Sequence, residues 1–129
     1  MKKILIFFLL FITSSASAVE KETTFNQKLF NKAQSDGKVV IISSWIKYCS
    51  SCAGQMKILR EAKNNGKLKD IKFDNIEYFS FDVTNRKIAN LFNVQYQTTL
   101  LIFKNNKEGY RSLGETTQDL IYEAIKSSI

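Results

Sequence analysis

The chain has 129 residues, 44% of them hydrophobic and 24% charged, which suffices for one domain with one modest core. It contains 19 lysine and arginine residues against 12 acidic residues, two cysteines, and neither histidine nor proline. Without histidine there is no Ser-His or Cys-His dyad and no imidazole metal site, so any chemistry must come from thiols, carboxylates, lysines or hydroxyls.

The N-terminus has the three-part layout of a secretory signal peptide. Two lysines follow Met1, residues 4–12 are all bulky and apolar, and small polar residues lead to an A-x-A pattern that ends at Ala18. The apolar run is about half of the roughly 20 residues that a membrane-spanning helix needs, so cleavage is favoured over an uncleaved anchor. We therefore expect a signal peptide over residues 1–18 and one domain over residues 19–129.

The basic residues are spread singly along the domain, from Lys28 and Lys32 onward. Nucleic-acid binding requires a basic stripe with interleaved aromatic residues, and an exported protein rarely meets such a partner. We interpret these residues as solvated surface charge and expect no nucleic-acid partner.

The predicted elements of the first half of the domain alternate between helix and strand. Apolar residues at helical spacing mark the helices, and a β-branched run too short for a helix marks a buried strand. Asp36-Gly37 is expected to end the first helix, and residues 64–66 the second. In chain order the elements are a helix with Phe25, Leu29, Phe30 and Ala33, a strand over residues 39–42, and a helix with Cys52, Met56 and Leu59 on one face.

The second half of the domain predicts a strand over residues 76–83, a short helix near residues 88–92, a hairpin and a final helix. The hairpin pairs residues 99–103 with residues 110–113 across an Asn-Asn turn. The sequence T-T-Q-D at residues 116–119 resembles a helix start with a capping pair. The order α-β-α-β-α-β-β-α predicts an α/β fold with a mixed four-stranded central sheet flanked by helices.

Cys49 and Cys52 lie where the first strand ends and the next helix begins. Cys49 falls at the helix N-terminus, where unpaired backbone N–H groups and the helix dipole stabilise a thiolate, the reactive form of the thiol. Cys52 lies three residues further, on the same face but deeper against the core. This asymmetry predicts a two-step exchange in which Cys49 attacks a substrate disulfide and Cys52 resolves the mixed disulfide.

Three other interpretations of the cysteine pair stay open at this point. A structural disulfide would close a very short loop and so contribute little chain entropy. A metal or iron–sulfur site would need thiolates from two chains. An inert reduced pair is unusual in an exported protein. For the exchange reaction no organic cofactor or metal is expected, because the reversible dithiol is itself the redox centre.

Residues 45–52, WIKYCSSC, resemble the active-site segment of thioredoxins, with one aromatic residue four positions before the first cysteine and another just before it. The similarity continues through residues 93–105 and Gly114, and it covers essentially all of residues 19–129. The resemblance implies the thioredoxin fold, with a mixed four-stranded sheet between helices.

Two branches of the family are similar to shorter stretches. Residues 82–84 and 91–94 most resemble the C-terminal, periplasm-facing domain of the DsbD thiol:disulfide interchange proteins, and residues 52–56 resemble the exported reductases of cytochrome c maturation. The resemblance implies a periplasmic thiol:disulfide oxidoreductase that reduces or exchanges protein disulfides and receives electrons from a separate membrane-bound donor. The alternative is a redox-inactive adaptor or chaperone-like domain on the same fold.

Thr98 occupies the position at which the family carries a cis-proline facing the active-site disulfide. A cis peptide before a non-proline residue costs about 3–4 kcal/mol, so this bond is expected to be either trans or held cis by local packing. Family members pair the backbone beside this proline with the substrate, which implies that Gln97 and Thr98 line the site. Trp45 and Tyr48 are either core and edge aromatics or shields of the disulfide that contact a protein substrate.

Other departures concern polar residues around the thiols. Ser43 stands where thioredoxins bury a carboxylate that manages the proton of the second thiol, and it is either a core-edge residue or the holder of a water. Gln55 stands where the cytochrome-maturation relatives carry a glutamate. Ser50 and Ser51 replace the usual proline or glycine, and we expect them to cap the helix rather than to bond a thiolate.

Overall fold

The computed structural model describes residues 21–65 and 75–129. The predicted signal peptide over residues 1–18 lies outside the described residues, as does Gly66 at the expected end of the second helix. No helix within the described ranges has both the length and the apolar character needed to cross a membrane.

Within these residues the helices and strands follow one another in the predicted order. The helices are α1 (Gln27–Ser35), α2 (Ser50–Asn65), α3 (Arg86–Leu91) and α4 (Gln118–Ser127). The strands are β1 (Val39–Trp45), β2 (Ile76–Asp82), β3 (Thr99–Lys104) and β4 (Lys107–Leu113). Both β1 and β4 are longer than predicted, because the ladders extend beyond the hydrophobic runs that marked them.

The strands form one sheet in the order β2-β1-β3-β4. Strand β1 runs parallel to β2 and antiparallel to β3, and β3 and β4 are antiparallel. The predicted mixed four-stranded sheet flanked by helices is therefore confirmed. Strand β1 is paired with a strand on each side. Its C-terminal end is therefore held in place, and so is the start of the segment that follows it.

The β3–β4 hairpin closes on the predicted Asn-Asn turn. Asn105 and Asn106 have φ of 52° and 62°, the left-handed conformation that a two-residue type I′ turn requires and that asparagine tolerates. The turn sets the register in which Lys104 pairs with Lys107.

Each face of the sheet carries its own apolar cluster. One face packs against α1 and α3, and we call it the phenylalanine face after the aromatic rings that fill it: Phe25, Phe30, Phe79, Phe81, Phe92 and Phe103. The other face packs against α2 and α4, and its cluster is mainly aliphatic: Val39, Ile41, Leu59, Ile76, Leu100, Ile102, Ile121, Ala124 and Ile125. We call it the aliphatic face.

The start of α4 differs from the prediction. Thr117 is the N-cap residue, but its side chain makes no capping hydrogen bond. The Thr117 N–H instead donates to Glu115 Oε1 at 2.7 Å. The predicted capping pair is therefore absent at Thr117, and the Glu115 carboxylate binds only the N–H of the N-cap residue itself.

Candidate active site

Cys49 and Cys52 are joined by a disulfide at the N-terminus of α2. Cys49 immediately precedes the helix, and its Sγ accepts a hydrogen bond from the Cys52 N–H at 3.1 Å. The Cys49 sulfur thus caps the helix at the Cys52 N–H. We had expected Ser50 or Ser51 to provide this cap, and for the Cys52 N–H that prediction was wrong. A thiolate at Cys49 would meet the same N–H and the positive end of the helix dipole, which stabilise its charge.

The two sulfurs have different surroundings. Cys49 is partly exposed, whereas Cys52 is completely buried. Cys49 is therefore accessible from solution in this structure, whereas Cys52 is not. The geometry contains the asymmetry that the spacing of the two cysteines predicted.

Thr98 brings its hydroxyl directly to the disulfide. Its Oγ1 lies 3.2 Å from Cys52 Sγ and 3.6 Å from Cys49 Sγ. The same Oγ1 lies 3.0 Å from Ser51 Oγ, and Ser51 Oγ is 3.3 Å from Cys49 Sγ. Two hydroxyls and two sulfurs therefore form one polar cluster, where a proline would present only hydrocarbon.

The backbone of Thr98 takes an uncommon conformation. No described peptide bond is cis, so the bond before Thr98 is trans, and the residue itself has a φ of 59°. A left-handed β-branched residue is a steric outlier that costs about 1–3 kcal/mol. Backbone bonds hold it there: the Thr98 N–H donates to Ser44 O at 2.8 Å, and its carbonyl accepts from the Gly114 N–H at 2.9 Å.

Two buried residues support this loop: Ser44, which the sequence analysis did not single out, and Gln55, to which it assigned no role. The Ser44 hydroxyl donates to Tyr96 O at 2.8 Å and accepts from the Thr99 N–H at 3.0 Å. Gln55 is fully buried on α2, and its Nε2 donates to Thr98 O at 3.4 Å and to Glu115 O at 2.8 Å. The sequence did carry a signal for Ser44, because two serines end a buried strand that otherwise consists of β-branched residues.

Ser43, at the position of the thioredoxin carboxylate, has a protein partner. Its Oγ lies 2.6 Å from Tyr78 Oη, and both side chains lie on the aliphatic face. Burial raises the pKa of Tyr78 to about 12, and the hydrogen bond from Ser43 opposes this rise. The pair is therefore a neutral hydroxyl–hydroxyl contact at neutral pH.

The predicted substrate-lining residues differ in their exposure. Tyr48, directly before Cys49, is 90% exposed and has a φ of 64°. Lys47 Nζ lies 5.1 Å from the centre of the Tyr48 ring. Trp45 is half-buried, with its indole N–H donating to Glu22 O at 3.1 Å, and Gln97 is exposed beside Thr98. Their contact with a substrate stays a prediction.

Comparisons with known proteins agree with this architecture. A family model for thioredoxin matches residues 16–127. The chloroplastic thioredoxin Y of Oryza sativa subsp. japonica is 27% identical over 113 residues, which are 84% of this chain and 61% of that relative. The chain thus spans about three fifths of the length of that relative.

Solved structures share the fold. Trxlp from Edwardsiella tarda superposes with a TM-score of 0.64 at 24% identity, covering 77% of this chain and 92% of that one. The thioredoxin of Fasciola hepatica gives 0.61 at 21% identity, covering 79% and 89%. The predicted thioredoxin fold is confirmed, and the chain belongs to the thioredoxin family.

Proposed function

We propose that this protein is a thiol:disulfide oxidoreductase that reduces or exchanges protein disulfides through its CSSC dithiol, with Cys49 as the nucleophile and Cys52 as the resolving thiol. One observation carries the proposal: the sulfur of the partly exposed Cys49 caps the N-terminus of α2 and is bonded to the sulfur of the buried Cys52 one turn further. That arrangement favours a thiolate at the accessible position and keeps the second thiol for the intramolecular step.

The reaction proceeds in two displacements. The Cys49 thiolate attacks one sulfur of the substrate disulfide, an S–S bond forms, and the other substrate sulfur leaves with the electron pair and takes up a proton. Cys52 then loses its proton and attacks Cys49 Sγ, which releases the second substrate sulfur to be protonated in turn. The substrate gains two electrons and two protons, and the Cys49–Cys52 dithiol becomes the disulfide.

We further propose that the protein is exported to a periplasm and reduced there by a separate membrane-bound electron donor, as in the DsbD-type branch. The support comes from the signal-peptide pattern of residues 1–18 and the similarity of residues 82–84 and 91–94 to that branch. Expression of the full chain in a bacterial host, with N-terminal sequencing of the periplasmic fraction, tests export. A chain starting at Val19 is expected, and one that retains Met1 would contradict the proposal.

The reduction potential of the Cys49–Cys52 pair tests the activity. The protein is equilibrated in graded thiol–disulfide buffers, alkylated, and analysed by mass. A potential between about −120 and −270 mV, the range of exchange proteins, is expected. A potential below about −300 mV would indicate a structural bridge and favour the redox-inactive adaptor.

A matched pair of variants separates the two cysteines. With insulin as the protein disulfide, Cys52→Ser should accumulate a mixed disulfide that reducing agent dissolves, because the resolving thiol is missing. Cys49→Ser should trap none, because the remaining sulfur is buried. The assigned roles would be contradicted if both variants trapped insulin equally. They would also be contradicted if Cys49→Ser bound insulin as well as the wild type does and the wild type did not reduce it.

A further inference from the structure

We propose that the Thr98 hydroxyl is a catalytic group of the resolving step, taking the proton of Cys52 and passing it through Ser51 to solvent. This inference rests on the proposed function and adds to it the path of one proton. It concerns the residue that stands where the family carries a proline, which has no hydroxyl to offer.

The contacts form a continuous path from the buried sulfur to the surface. Cys52 Sγ lies 3.2 Å from Thr98 Oγ1, and Thr98 Oγ1 lies 3.0 Å from Ser51 Oγ. The exposure rises in the same order: Cys52 is 0% exposed, Thr98 is 3% exposed, and Ser51 is exposed. The resolving thiol is therefore shut off from bulk water, and among residues 21–65 and 75–129 the Thr98 hydroxyl lies within hydrogen-bond distance of it.

A hydroxyl suits this position because it can accept one hydrogen bond while it donates another. As Cys52 attacks, its S–H proton passes to Thr98 Oγ1, the Thr98 proton passes to Ser51 Oγ, and the Ser51 proton passes to water. Each hydroxyl ends neutral, and one proton has reached the solvent. The electron pair left on Cys52 Sγ forms the bond to Cys49 Sγ, and the pair of the broken mixed disulfide leaves on the substrate sulfur, which takes up a proton from solvent.

The strained backbone supports the same assignment. A threonine at φ 59° is held by the Ser44 carbonyl and the Gly114 N–H, and these bonds aim its side chain at the two sulfurs. Strain of this kind persists where the surrounding structure enforces it, often at a functional site. The competing route runs through Ser43, which stands where thioredoxins bury a carboxylate, but its hydroxyl is hydrogen-bonded to that of Tyr78.

The test separates the two thiols by time. Reduced full-length protein reacts with 5,5′-dithiobis(2-nitrobenzoate), which releases one coloured thiolate when Cys49 attacks and a second when Cys52 resolves the mixed disulfide. Thr98→Val keeps the β-branched shape and removes the hydroxyl, and Thr98→Ser keeps the hydroxyl. Thr98→Ala is a second hydroxyl-free variant in case valine does not fold, and circular dichroism confirms the native state of each.

The hydroxyl-free variants should slow the second release about tenfold, as expected for the loss of one transition-state hydrogen bond, and the first much less. Thr98→Ser should retain the wild-type second rate, and Tyr78→Phe should leave it unchanged. The proposal is overturned if the second rate is insensitive to Thr98→Val and Thr98→Ala, if both releases slow equally, if serine fails to rescue, or if Tyr78→Phe alone slows resolution. A wild-type protein that releases only one thiolate would instead refute the proposed function itself.

Discussion

The two faces of the sheet meet different demands. The phenylalanine face is closed by ring-on-ring contacts, in which Phe92 lies 5.1 Å from Phe25, 5.5 Å from Phe30 and 5.6 Å from Phe103 between ring centres. The aliphatic face has a similar core but also buries the Ser43–Tyr78 hydroxyl pair. Helix α2, which packs on this second face, begins at the disulfide.

The residues that stabilise the fold and the residues around the disulfide lie in different parts of the sheet. Buried aromatic rings supply apolar area and edge-to-face contacts without any polar group to satisfy. At the carboxyl end of β1, Ser43 and Ser44 interrupt the β-branched run, and the neighbouring loop holds Thr98 in a left-handed conformation. The apolar packing and the strained polar end of the sheet are therefore supplied by different sets of residues.

The strongest test of this separation removes the most connected ring. Phe92→Ala should lower the free energy of unfolding by about 3–5 kcal/mol, since a cavity remains among the other rings. Urea unfolding measures the loss. Both thiolate releases should keep their wild-type rates in the protein that remains folded, because Phe92 packs among the rings of the phenylalanine face, whereas the disulfide is hydrogen-bonded to Ser51 and Thr98.

Leu91→Ala is the matched control, because this neighbouring side chain is 55% exposed and its truncation should cost less than about 1 kcal/mol. A loss for Phe92→Ala no larger than that of the control, or a changed release rate, would show that the two faces are not separate in this way.

The buried Tyr78 hydroxyl of the aliphatic face should make the stability of the protein depend on pH above about pH 9. Burial places the pKa of Tyr78 at about 12, above the value near 10 of an unfolded tyrosine. Between these values the unfolded chain loses the proton first, so stability is full below pH 10 and falls as the pH rises. The Tyr78 contribution should decrease by about 2 kcal/mol between pH 9 and pH 11.5.

The measurement compares urea unfolding of the wild type with Tyr78→Phe at both pH values, so that lysine titration cancels. The stability difference between the two proteins should shift by the stated amount in favour of the phenylalanine variant. A difference that stays constant with pH would mean that the phenol is not buried as described.

Local patterns in the sequence predicted the order of elements, because β-branched runs, apolar spacing and the Asn-Asn turn act over a few residues. The site depends on longer-range contacts. Thr98 is bonded to Ser44 through the backbone, and Ser43 finds Tyr78 35 residues away. No periodicity encodes such pairs, so the role of Thr98 as a trans, left-handed residue against both sulfurs required the folded chain.

The smallest expected effect concerns the exposed side of the disulfide. Tyr48 has a φ of 64° and is 90% exposed, so burial of its side chain does not offset its backbone strain. Tyr48→Gly should therefore raise the free energy of unfolding by about 1 kcal/mol in urea. The same variant should reduce insulin more slowly while reacting normally with the small aromatic disulfide, if the ring is retained to contact protein substrates.

Asn106→Gly, at φ 62° in the distant hairpin turn, is the control that should leave both reactions unchanged. Unaltered insulin reduction by Tyr48→Gly would remove the functional reason for the strain and leave the ring without a role in docking.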